Sequence, residues 1–495
     1  MRRFWWLLLV APPVVALLAL PSFEQRLVTL IGIYALLGVG YQLVFGQLGA
    51  LNLAQGALYG VGAYAAALLA PSTGPLALVL AMLASATVAA LAALPTLRLR
   101  SHYFALATLA LAALVNLVAV HAEGLTGGAN GLTGFAGELP RGTTLLAVVW
   151  FCLIAAVAVQ AHLFAGPLGE AARLLRESPL AAAASGIDAN RWRLIAFAAG
   201  GALAGLAGAG AASLSGVVSP EATGFPVMIL CLTLVVLGGS RHPMGAVLGA
   251  ALAVCLPELF RGLSGAWLLA YAIATLAVVL WLPEGLASLV DRPPAPPAPR
   301  LPERLPPAQG ARQLALEDVG KRFGGVEALR GVSMSLSRGE IVGLVGPNGS
   351  GKTTLLNVVS GLERADTGTI RLDALAVERL PAHRIARAGV ARTFQARQPG
   401  DLERAIASGA AFLLLDEPAA GADERERQVL IALLRRLRDS GRGVLVVDHD
   451  VDLLASLCDR LICLERGAVI AAGRPDDVRA DARVRASFLG VEAVP

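Results

Sequence analysis

Apolar residues along this chain gather into long runs over residues 1–290 and into much shorter ones after residue 312. A run of about 20 apolar residues crosses the roughly 30 Å hydrocarbon layer of a membrane as an α-helix. Ten spans are predicted, near 4–20, 26–45, 51–70, 75–95, 102–121, 143–164, 193–215, 225–238, 245–261 and 266–283. The eighth alone could be a buried or re-entrant helix, but ten in series exclude an ordinary soluble protein. In the second half, brief apolar stretches such as "IVGLV" and "FLLL" end in glycine or acidic residues, as buried strands of an α/β domain do.

Composition sharpens this division. The chain has 495 residues, 56% of them hydrophobic and 16% charged, and the excess of apolar residues lies before residue 290. That half holds no lysine, so arginine alone reports orientation. With the N-terminus inside, the inner loops carry Arg2, Arg3, Arg98, Arg100, Arg173, Arg176, Arg191, Arg193, Arg241 and Arg292, whereas the outer loops carry only Arg26, Arg141 and Arg261. Basic residues are retained on the cytoplasmic side, which predicts both termini inside. The opening "MRRFWWLLLVAPPVVALLALP" shares features with a signal peptide, but no small-residue cleavage site follows it, and an uncleaved first helix is expected. Cys152, Cys231, Cys255, Cys458 and Cys463 lack the paired spacing of disulfide or metal ligands. The net charge of +5 is accounted for by loop arginines beside a membrane and calls for no nucleic-acid partner.

Three domains follow: a transmembrane region over 1–290, a linker over 291–312 and a globular domain over 313–495. The linker, "DRPPAPPAPRLPERLPPAQGAR", holds eight prolines, which favour an extended polyproline tether. At about 3.1 Å per residue such a tether reaches on the order of 60 Å.

The globular domain declares a chemistry at "IVGLVGPNGSGKTTLLNVVSGL". A strand, a glycine-rich loop and a helix follow one another, the context in which backbone N–H groups and a helix N-terminus cradle phosphates. Gly346, Asn348, Gly349, Ser350 and Gly351 form the cradle, continued by Lys352, Thr353 and Thr354. Lys352 meets the β- and γ-phosphates and Thr353 holds Mg²⁺. "FLLLDEP" ends a second strand on Asp416, placed to hold the metal through water, and on Glu417, able to orient and deprotonate the attacking water. "VLVVDHD" brings His449 to the same sheet edge, where an imidazole can contact a γ-phosphate.

These motifs resemble the ATPase subunit of ABC transporters, and the resemblance spans nearly all of 313–490. It implies that Phe323 in "VGKRFGG" stacks on adenine, that Gln395 in "ARTFQ" senses Mg²⁺ and the γ-phosphate, and that "AGAD", Ala420 to Asp423, is the D-loop. "PAHRIARAGVARTFQ", "LLLDEPAAG" and "CDRLICLERGAVIAAGRPDDVRAD" look like the ATPases of branched-chain amino acid importers. In the first half, "GALNLAQGALYGVGAYAAALL", "LRLRSHYFALATL", "LTGGANGLTG", "SGIDANRWRLIAF", "SPEATGF", "VVLGGSRHPMGAVLGA" and "LPEGL" look in order like the permease of that system. The resemblance implies a fused permease-ATPase of a bacterial inner-membrane importer. Its implied partners are a second permease subunit, a second ATPase subunit with an intact signature motif and a periplasmic substrate-binding protein. The implied ligands are ATP, Mg²⁺ and a branched-chain amino acid. A sister importer of urea or short amides shares this architecture, and a nucleotide-binding membrane subunit without turnover is a further alternative.

Residue types in the membrane half fit transport. "AAGGALAGLAGAGAASLSG" permits close helix approach in lipid, and Asn52, Gln55 and Asn116 either line a polar path or bond between helices. By resemblance the loop Gly166 to Arg193 contains the coupling helix, which docks on the ATPase. The departure from the family lies at "GVARTFQARQPGDLERAIASGAAFLLLDEP". Only Ala396 to Ala411, sixteen residues, separate Gln395 from the acidic strand, where the family has a helical subdomain and the signature LSGGQ. One short helix fits there, with the domain truncated internally near 396–404. "LGGS" at Leu237 to Ser240 lies at a membrane-helix end and is no substitute. The expected fold is therefore an all-α polytopic membrane domain of about ten helices followed by an α/β P-loop domain lacking its α-helical subdomain. Loss of that subdomain is expected to remove one wall of the cleft that receives the coupling helix, and so to impair coupling.

Overall fold

The computed structural model describes residues 5–96, 101–260, 267–290, 305–308, 310–394 and 401–489. They divide into two compact units, one of Met1–Glu177 with Ala189–Ala295 and one of Ser178–Asp188 with Pro296–Pro495.

The first unit is helical. Five stretches are long and apolar enough to cross a membrane: Ser22–Gln47, Gln55–Thr96, Tyr103–His121, Gly142–Phe164 and Ala189–Ser215. Gln55–Thr96 comprises two helices, Gln55–Thr73 and Ala77–Thr96, joined by a 3-10 turn at Gly74–Leu76. Shorter apolar helices occupy Trp6–Ala19, Phe225–Gly238 and Gly245–Leu259, and a further one runs over Trp267–Trp281. The ten predicted spans thus each carry a helix among the described residues. A short antiparallel pair, β1 (Leu132–Thr133) and β2 (Val217–Val218), links two loops.

Packing in this unit depends on small residues. A Cβ on Gly208 would lie 1.9 Å from the Tyr59 carbonyl oxygen, and one on Gly62 would lie 2.2 Å from that of Gly205. Helix Ala189–Ser215 therefore meets Gln55–Thr73 backbone to backbone, as the glycine-rich sequence predicts. The amides that the sequence singled out are bonded within the protein. Asn52 Nδ2 donates to Gln55 Oε1 at 3.1 Å, Gln55 Nε2 to the Gly200 carbonyl at 3.0 Å and Asn116 Nδ2 to Thr223 Oγ1 at 2.8 Å. Of the two readings open for these residues, the bond between elements is observed for Gln55 and Asn116, whereas Asn52 bonds locally at the start of the same helix. Gln42 Nε2 donates to the carbonyls of Gly239 and His242, so "LGGS" is a helix end clasped by a neighbouring glutamine.

The second unit has two sheets. β3 (Gln313–Phe323), β4 (Val326–Ser337), β6 (Thr367–Leu372) and β7 (Leu375–Ala376) form an antiparallel sheet in the order β4-β3-β6-β7. β5 (Ile341–Val345), β8 (Val390–Arg392), β9 (Phe412–Asp416), β10 (Gly443–Val447), β11 (Arg460–Glu465) and β12 (Ala468–Gly473) form the other, in the order β12-β11-β5-β10-β9-β8. All its neighbours are parallel except β12. Every residue of β5, β9 and β10 is buried, as strands covered on both faces must be. Leu316, Ile370, Leu344 and Leu414 share the core on one face, and Leu415, Leu434, Leu437 and Leu454 that on the other.

Parallel β8 and β9 require a crossover, which takes a dozen or more residues. Residues 393–411 supply it, and their described part contains one helix, Asp401–Ala407, with Ala405 and Ile406 buried. The fold thus closes without a subdomain at this point. Segment Ser178–Asp188 contains the short helix Pro179–Ala184, capped by Ser178 Oγ accepting from the Ala181 amide. Arg387 Nε donates to the Gly186 carbonyl at 3.0 Å and His383 Nε2 lies 3.5 Å from Asp188 Oδ2. Ser185, Arg387, Arg392, Asp401 and Arg404 are among the residues lining a cleft of about 320 Å³ here. Helix Asp401–Ala407 contributes Asp401, Arg404 and Ala405 to this lining.

Replacing Gly208 by leucine forces a side chain into the Tyr59 backbone and should destabilise the helical unit by about 3 kcal/mol, the upper end of usual overpacking costs. Thermal melting with size-exclusion readout should show early unfolding, whereas Gly124→Leu, at a position with nothing within 4 Å of its Cβ, should leave the melt unchanged.

Candidate nucleotide site

The carboxyl ends of β5, β9 and β10 meet at one edge of the six-stranded sheet, where ligands of open parallel sheets bind. From β5 the chain enters the glycine-rich loop and then helix Lys352–Val359. Gly346 has φ 154° and a Cβ there would lie 2.2 Å from the Leu464 carbonyl oxygen, so the strand turns into the loop only without a side chain. Gly351, the helix N-cap, has φ 103° and is similarly crowded by the Ala328 carbonyl. Asn348 and Gly349 are exposed at the loop tip, Ser350 is buried, and Thr353 and Thr354 occupy the first helical turn. Lys352 Nζ donates to the carbonyls of Gly346 at 2.7 Å and Pro347 at 2.9 Å, which holds the ammonium over the loop. Burial lowers its pKa, while the charges of Glu417 and Asp416 pull it up.

Asp416 ends β9 with 3% of its surface exposed. Its Oδ2 lies 3.4 Å from Arg392 Nη2, and its Oδ1 has no hydrogen-bond partner. Burial pushes the carboxyl pKa up, against the downward pull of Arg392. Arg392 itself, 6% exposed at the end of β8, also donates from Nη1 to Asn357 Oδ1 at 2.6 Å and Ser360 Oγ at 3.2 Å. One guanidinium therefore ties β8, the loop helix and β9 together. Glu417 adopts φ 48°, a left-handed conformation uncommon outside glycine, fixed by its amide donating to the Val447 carbonyl at 2.8 Å. Strain of this kind concentrates at working sites. His449 follows β10 with its side chain 70% exposed and Nδ1 3.4 Å from Asp448 Oδ1. Phe323 ends β3 with an exposed ring, and Lys321 Nζ lies 5.2 Å from the ring centroid. Asp423, at the end of "AGAD", forms a capping box with Glu426 at the start of helix Glu424–Asp439. Gln395 lies outside the described residues.

A divalent cation fits this donor set. Oδ1 of Asp416 and Oγ of Ser350 are buried polar atoms without protein partners, and oxygen donors beside a phosphate cradle suit Mg²⁺. The sequence reading missed Arg392 and Asp448. Arg392 sits inside "ARTFQ", and the cue was a cation within an otherwise apolar strand. Asp448, 1% exposed with Oδ2 unpartnered, sits inside "VLVVDHD" beside the histidine that drew the attention.

Comparison with known proteins separates the two halves. Residues 25–282 match the family described as branched-chain amino acid transport system / permease component, and residues 329–404 match the ABC transporter family. A probable ABC transporter ATP-binding protein of Azorhizobium caulinodans is 33% identical over 241 residues, covering 38% of this chain and 86% of that protein. The high-affinity branched-chain amino acid transport ATP-binding protein BraF of Pseudomonas aeruginosa is 28% identical over 248 residues, covering 36% of this chain and 97% of BraF. The lipopolysaccharide export system ATP-binding protein LptB of Escherichia coli is 29% identical over 233 residues, covering 36% and 97%. An alignment of 248 positions that draws on only 36% of 495 residues leaves tens of BraF's residues without a counterpart here. A nucleotide-free ATP-binding cassette from an ABC transporter is 23% identical with a TM-score of 0.34, covering 35% of this chain and 98% of that one.

Arg392→Met leaves the buried Asp416 carboxylate without its cation and should lower stability by roughly 3 kcal/mol, as breaking a buried pair does. The double variant with Asp416→Asn should recover most of that loss. A double-mutant cycle from denaturant midpoints measures the coupling, and additive single effects would contradict the tie.

Proposed function

The chain belongs to the family of permease components of branched-chain amino acid transport systems, with an ABC-transporter ATPase domain on the same polypeptide, and from this we propose that it drives ATP-dependent import of branched-chain amino acids across a bacterial inner membrane. The observation that carries the reading is the fusion, a permease match followed by an ATPase match in one chain. The naming of BraF as a branched-chain amino acid transport ATP-binding protein supports the substrate class. The arginine asymmetry of the loops supports a cytoplasmic N-terminus and a cytoplasmic ATPase domain. A second permease subunit, a second ATPase subunit and a periplasmic binding protein complete the transporter in this reading.

In the proposed mechanism Phe323 stacks on the adenine, and Gly346, Asn348, Gly349, Ser350 and Gly351 with Thr354 present the phosphates to Lys352. Thr353, Asp416 and Gln395 would hold Mg²⁺, which would supply positive charge to offset that of the phosphates. Glu417, fixed by its backbone bond to Val447, orients the attacking water and takes its proton. His449, on the exposed side of the same edge, contacts the γ-phosphate and reports its loss.

ABC ATPases close head to tail, so each ATP lies between one P-loop and the other subunit's signature. The short connection Thr393–Ala411 supplies no signature sequence. A partner with an intact signature completes the nucleotide held by this chain, whereas the partner's nucleotide loses charge-assisted hydrogen bonds worth about 1.5–3 kcal/mol each. One competent site per transporter and reduced coupling follow. The docking of Ser178–Asp188 on helix Ala382–Arg387 supports a transmission path that survives the deletion.

Reconstitution of the full chain with its partner subunits in proteoliposomes tests this. Uptake of labelled leucine should require ATP, and Lys352→Ala should weaken nucleotide binding by about tenfold or more, equivalent to roughly 1.4 kcal/mol, and abolish uptake. ATP binding without hydrolysis beside an intact partner, or uptake of urea in place of leucine, would overturn the reading.

A further inference from the structure

A second cavity lies wholly within the helical unit, with a volume of about 370 Å³. That is within the range of small-molecule pockets, roughly 300–1,000 Å³. It is bounded by the first turns of helix Ser22–Gln42, by helix Gln55–Thr73, by the last turn of helix Ala189–Ser215 and by the loop after it. Arg191 and Arg193 stand at the opposite end of that last helix, beside the point where the chain passes into the second unit. With the ATPase domain cytoplasmic, the cavity therefore opens on the outer side.

Its lining combines polar side chains with an apolar wall. Leu27, Leu30 and Leu214 contribute to the wall, and Arg26, Tyr34, Tyr59, Ser215 and Ser219 are its polar members. Tyr59 is 8% exposed, yet neither its hydroxyl nor that of Tyr34 has a hydrogen-bond partner among the described residues. The neighbouring amides Gln42, Asn52, Gln55 and Asn116 each make a hydrogen bond, whereas the Tyr64 hydroxyl, outside the cavity, is also without a partner. A hydroxyl left unpaired at membrane depth costs free energy unless something in the cavity meets it. Arg26 is one of only three arginines that break the inner-loop bias, and it also lacks an ion-pair partner among the described residues. An arginine kept against that bias and turned to a cavity is a site for an anion, and its planar fork suits a carboxylate. No acidic residue lines the cavity, so recognition rests on the ligand's carboxylate and its apolar body.

We propose that this cavity is the outer subsite of the import path and takes a small α-amino acid with an apolar side chain, its carboxylate on Arg26, its side chain on Leu27 and Leu30, and its polar head bonded by Tyr34 and Tyr59. The proposal rests on the import reading given above and names the place where that substrate first meets the membrane subunit.

The test uses the full chain in phosphatidylcholine nanodiscs, with tritiated L-leucine followed by scintillation proximity. Leucine should bind, 4-methylpentanoate should compete and leucinamide, which lacks the carboxylate, should not. Arg26→Gln should weaken binding at least tenfold, Tyr59→Phe should weaken it severalfold, and Arg141→Gln, outside the cavity, should change nothing. Arg26→Lys, which keeps the charge, should fall between wild type and Arg26→Gln, with melting temperatures showing that all variants fold. Equal binding by wild type and Arg26→Gln, competition by leucinamide, or absence of leucine binding would overturn the subsite. So would loss of leucine binding when phosphatidylglycerol is added, which would make a lipid headgroup the occupant. The import reading fails separately: leucine uptake by the assembled transporter that survives Arg26→Gln removes the subsite alone, whereas leucine binding without uptake removes the import reading alone.

Discussion

The ATPase unit depends on one buried guanidinium. Arg392 bonds to Asn357 and Ser360 on the loop helix and faces Asp416 at the end of β9, while its own backbone belongs to β8. Three elements that must converge on a nucleotide are thereby held by a single side chain in a low-dielectric setting, where an ion pair is strong and a broken one is costly. Asp416 keeps one oxygen free for a cation because Arg392 engages only the other. The strand carrying Arg392 leads directly to Gln395, so the tie also fixes where the shortened connection departs.

From that departure only a short crossover is needed. β8 and β9 are parallel neighbours in register from Val390 with Phe412 to Arg392 with Leu414, and any crossover long enough to climb back along the sheet can join them. Helix Asp401–Ala407 does so and buries Ala405 and Ile406 against the sheet. The core on that face is continuous through Leu413, Leu415 and Leu434. Both faces of the sheet are therefore covered, among the described residues, with only the short connection between β8 and β9.

Much of this was legible in the sequence because the signals are periodic or tightly spaced. Ten apolar runs became ten helices because lipid demands that each backbone segment satisfy its own hydrogen bonds. The loop from Gly346 to Thr353 was readable because its glycines have no other use at that spacing. Arg392, Asp448 and Gln42 were not readable, since each is a single polar residue whose partners lie on distant elements. Gln42 reaches carbonyls about 200 positions away, and no local pattern encodes such a bond. Nor did any local pattern show that Asp401–Ala407 would line the cleft beside Ser178–Asp188.

The membrane unit follows the same logic with the solvent inverted. In water an unpaired hydroxyl is unremarked, whereas between lipid-facing helices it must be paired, hydrated or met by a ligand. The unit pairs its amides with care, through Asn52 with Gln55, Gln55 with Gly200 and Asn116 with Thr223. Its backbones approach so closely at Gly62 and Gly208 that no space remains between those helices. Space remains instead beside Tyr34 and Tyr59, under an arginine on the side where arginines are scarce. Tight packing elsewhere makes that opening a property of the fold rather than of loose assembly, and the rings of Tyr34 and Tyr59 line it.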